Sequence, residues 1–138
     1  MSEFHRIVYV SRARDGLNEC DIEAILDQST SNNYERFITG FLTYNHGRFM
    51  QVIEGPSEEV VDIYGRIESD DRHNCVVQVI GEPAERRIFP DWSMNYFRVD
   101  GDGGSPKMLV KSDEVDDLMP ADAPKPYLYL FSRFMALR

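Results

Sequence analysis

The first strand predicted in this chain carries apolar residues on both of its faces. Phe4 to Val10 is rich in apolar and β-branched residues, and an exit loop from Arg12 to Gly16 follows it. A strand of this kind is covered on both sides, whereas a strand of a half-exposed sheet alternates apolar with polar residues. The sequence therefore predicts a sheet with a layer of structure on each face.

The segments that follow alternate between helix and strand patterns. Asn18 can cap a first helix, whose apolar residues recur at helical spacing until about Ser31. Phe37 to Tyr44 and Arg48 to Glu54 then flank the short turn Asn45-His46-Gly47, which predicts a hairpin. A second helix opens at Gly55-Pro56-Ser57 and ends near Asp70, with an apolar stripe of Val60, Ile63, Tyr64 and Ile67. Cys75 to Ile80 reads as another buried strand, and Trp92 to Val99 as the last one.

This order, β-α-β-β-α-β-β, predicts an α+β fold, a ferredoxin-like sandwich with two helices on one face of the sheet. The Gly-rich break from Asp100 to Gly104 divides the chain into a domain at 1–100 and a C-terminal segment at 101–138. Pro106 to Leu118 and the strongly apolar Tyr127 to Leu137 are the candidate helices of that segment. We expect both to cover the other face of the sheet.

Charge and cysteine content exclude several classes of function. A net charge of -9 without a basic cluster disfavours binding to nucleic acid or to anionic lipid. No apolar run reaches the length of a membrane span, and the three histidines are too scattered for a metal site. Cys20 and Cys75 lie at positions that look buried, so we expect reduced core thiols and a cytoplasmic protein.

Three polar features stand among apolar neighbours. Strand alternation points Gln51 the same way as Phe49 and Ile53, into the core, and Tyr9 lies within the first strand. The pair Asn32-Asn33 follows the first helix. A buried primary amide needs hydrogen-bond partners, so Gln51 is either a structural residue or part of a polar ligand site.

Further polar residues place such a site between the two helices. Ser29, Asn32 and Asn33 are spaced to share one face of the first helix, and Arg66 and Asp70 flank Ile67 of the second. A groove with apolar walls and a few hydrogen-bonding groups suits a planar heterocycle, with Tyr9 and Gln51 as its floor. Each residue taken alone has a structural interpretation, Tyr9 as a core aromatic and the Asn pair as a helix stop.

Six strings of residues, in order along the chain, resemble the BLUF family of flavin-based blue-light sensors. The strings are Tyr9-Val-Ser-Arg-Ala, Asn32-Asn33, Ile38-Thr-Gly-Phe-Leu-Thr-Tyr44, Arg48-Phe-Met-Gln-Val-Ile-Glu-Gly55, Asp70-Asp-Arg-His73 and Arg87-Ile-Phe-Pro-Asp-Trp-Ser-Met94. The resemblance runs from about Phe4 to Val99 and leaves the last 40 or so residues outside it. It implies the ferredoxin-like fold that the patterns predict independently.

The resemblance also implies a role for each matching residue. Tyr9 matches the donor of an electron and a proton, and Gln51 the amide that switches its hydrogen bonds. Asn33, with Asn32 beside it, matches the contact to the flavin C4 carbonyl and N5 edge. Asp70 and either Arg66 or Arg72 match the pyrimidine edge, while Ile25 and Ile67 would enclose the ring. Trp92 and Met94 match the pair that competes for the position beside Gln51.

The implied cofactor is FAD, with FMN and riboflavin as alternatives, and the implied output is a contact with an unidentified protein. The excess of apolar residues at 127–137 favours a homo-oligomer, a dimer or larger. The alternative function is a ferredoxin-like module that binds a small ligand or a protein without sensing light. A flavin enzyme is disfavoured because no substrate pocket or hydride relay is recognisable.

Overall fold

A computed structural model describes residues 4–16, 18, 20–21, 24–25, 27–28, 36–45, 47–89 and 124–135, and the backbone of 93–98. The strands are β1 (Phe4–Ala13), β2 (Thr39–Asn45), β3 (Arg48–Pro56), β4 (His73–Ala84) and β5 (Ser93–Arg98). The helices are α1 (Ser57–Ser69) and α2 (Lys125–Met135). Cys20–Asp21, Ala24–Ile25 and Asp27–Gln28 are helical as well. The predicted tail helix Pro106–Leu118 lies outside the described residues.

The five strands form one sheet in the order β4-β1-β3-β2-β5. β3 pairs antiparallel with both β1 and β2, and β4 pairs antiparallel with β1. β5 joins the far edge parallel to β2. The two parallel strands β1 and β2 therefore enclose β3 in the split β-α-β arrangement of the predicted fold, and the α+β prediction is confirmed.

Local signals set the element boundaries. Asn18 and Asp21 exchange side-chain bonds with each other's backbone N–H groups, at 2.9 and 3.0 Å, which is a reciprocal cap at the start of the first helix. Gly47 has φ +80° in the hairpin turn between β2 and β3. That left-handed conformation is readily available to glycine.

A hydrophobic core lies on each face of the sheet, as the apolar character of β1 predicts. The α1 face holds Ile7, Ile38, Leu42, Tyr44, Phe49, Ile53, Val60 and Ile63. The opposite face holds Val8, Phe41, Met50, Val52, Ile88 and Phe89 together with Tyr127, Phe131 and Phe134 of α2. The apolar C-terminal helix thus covers the second face, as expected.

Two predictions about burial are wrong. β4 is an edge strand rather than a buried one, and its side chains Val77 and Val79 are 55% and 43% exposed. Cys20 and Cys75 are exposed free thiols, not core residues. An apolar edge strand has the same sequence pattern as an apolar central strand, so the sequence does not distinguish the two. β4 pairs only with β1 and shifts register against it at two points.

Candidate functional site

Tyr9 and Gln51 lie opposite each other on the central strands β1 and β3. The Tyr9 hydroxyl donates a hydrogen bond of 2.6 Å to Gln51 Oε1. Both side chains are buried, at 3% and 2% exposure. The two residues that sequence analysis singled out separately therefore form one polar pair inside an apolar core.

The surroundings of Tyr9 keep its phenol neutral. Burial has the largest effect and raises the pKa of Tyr9. The negative charge of Asp70, and then the hydroxyl group of Tyr64, raise it further. The rings of Tyr9 and Tyr64 pack at 5.9 Å between centroids with a tilt of 59°. Tyr64 was predicted only as part of an apolar stripe, and the sequence contains no signal that would pair it with Tyr9.

Ile25 and Ile67 pack against the α1-face core, to which strand β1 also contributes. Both are partly buried at the margin of the α1-face core, as are Ala13 and Tyr64. Ile25 comes from the first helical segment and Ile67 from the last turn of α1. The structure thus brings an isoleucine from each helix to the side of the sheet that carries Gln51, which fits the predicted apolar walls.

The structure distinguishes Arg72 from Arg66. Arg72 grips the Asp70 carboxylate with both Nε and Nη2, the shortest contact being 2.6 Å, and its backbone N–H donates to the same group. Arg66 instead donates to Asp62, one turn earlier in α1, and its side chain is 69% exposed. The family resemblance left these two arginines as alternatives, and of the two it is Arg72 that binds Asp70.

Several predicted site residues cannot be placed. Ser29, Asn32, Asn33 and Trp92 lie outside the described residues. Met94 is on β5, of which only the backbone is described. In the sheet, β2 lies between β5 and the strand of Gln51.

The apolar and polar side chains placed on this face of the sheet suit a flavin. A planar heterocycle with acceptor and donor edges needs flat apolar cover, a neutral amide that can either donate or accept, and charged groups at one edge. Ile25 with Ile67, Gln51, and Asp70 with Arg72 supply these three features. Among the described residues, no group of histidine, cysteine and acidic side chains could hold a metal ion.

Comparison with known proteins agrees with this chemistry. A family model described as "BLUF: Sensors of blue-light using FAD" matches residues 4–95. The chain belongs to this family of flavin-binding blue-light sensors. The family description is that of a sensor rather than of an enzyme.

Similar proteins include both long and short chains. Photoactivated adenylate cyclase subunit beta of Euglena gracilis is 36% identical over 89 residues, which are 64% of this chain and 10% of that protein. The blue light- and temperature-regulated antirepressor BluF of Escherichia coli (strain K12) is 33% identical over 91 residues, 66% of this chain and 23% of the relative. The chain therefore spans about a tenth of the cyclase subunits it matches.

Two of the solved structures that share the fold cover nearly all of this chain. The dark-state structure of BlrB, a BLUF protein, has a TM-score of 0.69 at 30% identity and covers 99% of this chain and 97% of that one. A BlrP1 complex from Klebsiella pneumoniae has a TM-score of 0.74 at 26% identity, over 96% of this chain and 33% of that one. Within the described part of the chain, no helix is long and apolar enough to cross a membrane.

Proposed function

We propose that the chain is a blue-light photoreceptor whose response begins with oxidation of Tyr9 and ends with new hydrogen bonds at Gln51. The observation that carries this proposal is the buried 2.6 Å bond between the two side chains. When bound, an oxidised flavin supplies absorption of blue light and an excited state that accepts an electron and a proton. The remaining steps belong to the protein.

Tyr9 is suited to the donor role because a phenol can lose an electron from its ring and a proton from its hydroxyl. Its raised pKa keeps the proton in place in the dark. The proton leaves along the existing hydrogen bond to Gln51 Oε1. Electron and proton return to Tyr9 at the end of the step, so the cycle consumes no oxidant or reductant.

Gln51 stores the result of that transfer. Its Oε1 faces Tyr9, which turns Nε2 away from the phenol. While Tyr9 lacks its proton, the amide either rotates or changes tautomer, and a different hydrogen bond remains when the charge has returned. The two arrangements differ by a few hydrogen bonds worth about 1 kcal/mol each, so the dark state recovers thermally.

The proposed binding site combines the placed and the unplaced residues. Ile25 and Ile67 enclose the ring, and Asp70 with Arg72 binds its polar edge. The remaining predicted contacts are Ser29, Asn32 and Asn33. FAD is the proposed flavin because the family is described by it.

Output is proposed to pass from Trp92 and Met94 through residues 101–138 to a separate protein. The proposal is supported by the names of two relatives, a photoactivated adenylate cyclase subunit and a blue light- and temperature-regulated antirepressor, which differ in their output. A homo-oligomer and a cytoplasmic location belong to the same proposal. Exposed thiols at Cys20 and Cys75 suit a reducing compartment.

The direct test is the spectrum of the purified protein with and without Tyr9→Phe. The parent should be yellow, release flavin in acid, and show a reversible red shift under blue light. Tyr9→Phe should bind flavin equally well but lose the red shift, because the phenyl ring fills the space without an acidic proton. A colourless parent would favour the alternative of a light-insensitive binding module, and a normal shift in the variant would remove Tyr9 from the mechanism.

A further inference from the structure

A buried carboxylate on β3 lies three residues beyond Gln51. Glu54 is 1% exposed, on the face of the sheet that α2 covers. Its cross-strand neighbour Arg6 donates from Nε to Glu54 Oε2 at 2.9 Å, and Arg6 is itself 7% exposed. Since an unpaired buried charge costs several kcal/mol, the buried ion pair depends on both Glu54 and Arg6 staying in place.

Glu54 also binds the connection between β4 and β5. The backbone N–H groups of Ile88 and Phe89 donate to its two oxygens at 2.9 and 2.5 Å. Arg87 adds a bond to the Glu54 carbonyl at 3.1 Å. This connection leads to β5, which carries Met94. One side chain of the Gln51 strand therefore binds two consecutive backbone N–H groups in the chain segment between β4 and β5.

The same charges reach the C-terminal helix. Arg6 Nη1 lies 3.4 Å from Glu82 Oε1, which also accepts a 2.6 Å bond from the Tyr127 hydroxyl. The Arg6 guanidinium lies 5.4 Å from the centroid of the Tyr127 ring. Burial would lower the pKa of Arg6, but hydrogen bonds to Glu54 and Tyr127 raise it, so the cation persists. We call these four residues, Arg6, Glu54, Glu82 and Tyr127, the charge network.

We propose that Glu54 is a positioning residue for the light response and that the charge network transmits movement of β3 to helix α2. This inference rests on the proposed function, because it takes the Gln51 switch as its starting point. Gln51 and Glu54 project from the same strand to opposite faces of the sheet. Hydrogen bonds weaken steeply when their angles change, so a small shift of β3 alters the bonds at Ile88, Phe89 and Arg6 together.

The test is hydrogen exchange of the full chain, in the dark and under blue light, on two variants and one control. Tyr127→Phe keeps the ring beside Arg6 but removes the bond to Glu82. Glu54→Gln keeps the shape but replaces one acceptor oxygen by a donor. Tyr129→Phe is the control, since Tyr129 lies on the same helix and is 62% exposed.

In flavin-free protein, Glu54→Gln should speed exchange of the Ile88 and Phe89 amides about tenfold, the effect of roughly one lost charged hydrogen bond. In flavin-loaded protein, the parent and Tyr129→Phe should show faster exchange in 125–135 under light. Glu54→Gln and Tyr127→Phe should both keep the full red shift of the flavin but lose that light-dependent difference.

An unchanged light-dependent difference in Tyr127→Phe would overturn the proposal, and so would a red-shifting parent whose α2 exchanges equally in light and dark. Absence of a red shift in the parent would instead contradict the proposed function. Because Tyr127→Phe is a small change on one helix, the test does not depend on whether Glu54→Gln folds.

Discussion

At the scale of single residues, the site depends on pairing rather than on residue type. Tyr9 and Gln51 become a unit because cross-strand register places them opposite each other, 42 positions apart in sequence. Arg66 and Arg72 are the same residue type and both are close to Asp70 in sequence, but they bind different aspartates. Arg66 binds Asp62 and Arg72 binds Asp70. The bidentate contact of Arg72 to Asp70 is the geometry that gives a guanidinium its strongest carboxylate bonds.

Replacing each arginine by alanine should separate these roles. Arg72→Ala should weaken flavin binding about tenfold, because Asp70 would lose its charge-assisted partner at the proposed flavin site. Arg66→Ala is the matched control and should leave binding unchanged, because that side chain pairs with Asp62 on the exposed surface. Titration by quenching of free flavin fluorescence measures both. A larger loss in Arg66→Ala would contradict the placement of Arg72 at the site.

At the scale of elements, helix α2 is held at both ends. Near the start of the helix, the Tyr127 hydroxyl donates a hydrogen bond to Glu82. Near its end, the Phe134 carbonyl accepts a hydrogen bond of 2.8 Å from Asn45 Nδ2. Between these bonds, Phe131 and its neighbours bury the apolar face of the helix. The helix therefore closes the sheet face, and polar bonds attach it to strands β2 and β4.

The Tyr127 bond predicts a dependence on alkaline pH. Burial, and then the hydrogen bond to Glu82, raise the pKa of Tyr127 from 10.0 to about 12 against the opposing charge of Arg6. Because the pKa of Tyr127 is raised in the folded state, the stabilisation of the fold by its protonated hydroxyl is fully present below pH 10. This stabilisation is lost as the pH rises through about 12. The ionised phenol can no longer donate and would repel Glu82.

Denaturant unfolding of the parent and of Tyr127→Phe across this range checks the prediction. The parent should be the more stable at pH 8, and its advantage should shrink between pH 10 and 12. Tyr129→Phe should show no such convergence because that hydroxyl is exposed. A difference that stays constant with pH would mean that the Tyr127 hydroxyl does not bind Glu82.

At the scale of the whole molecule, the two hydrophobic cores lie on opposite faces of one sheet. Tyr9 and Gln51 lie on the α1 face, whereas helix α2 packs on the other. Phe131 is fully buried and packs on Phe41 with ring centroids 4.7 Å apart. Phe131→Ala should lower the free energy of unfolding by about 3 to 5 kcal/mol through cavity formation. The dark spectrum of the bound flavin should not change, since Tyr9 and Gln51 lie in the other core.

Thermal or denaturant unfolding, with the flavin spectrum recorded on the same samples, measures both quantities. Tyr129→Ala serves as the exposed control on α2 and should cost little. A shifted dark spectrum in Phe131→Ala would show that the two faces are coupled even without light.

Local sequence patterns predicted the order of the helices and strands and the burial of β1 on both faces, but not the exposure of β4. The apolar character of β1, the Asn18 cap, the Gly47 turn and the stripe of α1 are signals within a few residues, and the structure has each of them. The burial of Gln51 followed from strand alternation and that of Tyr9 from its apolar neighbours in β1, and both signals are equally local. The family resemblance added roles for these two residues and for others, of which Asn32, Asn33 and Trp92 lie outside the described part of the chain.

Only the tertiary structure decided the lateral order of the strands and the long-range polar contacts. Alternation cannot tell an edge strand from a central one, so the exposure of Val77, Val79 and Cys75 came as a correction. The bonds of Glu54 to Arg6 and Phe89 join residues 48 and 35 positions apart, and that of Tyr127 to Glu82 spans 45. Such contacts leave no periodic trace, because they depend on where separate elements pack rather than on the conformation of any one of them.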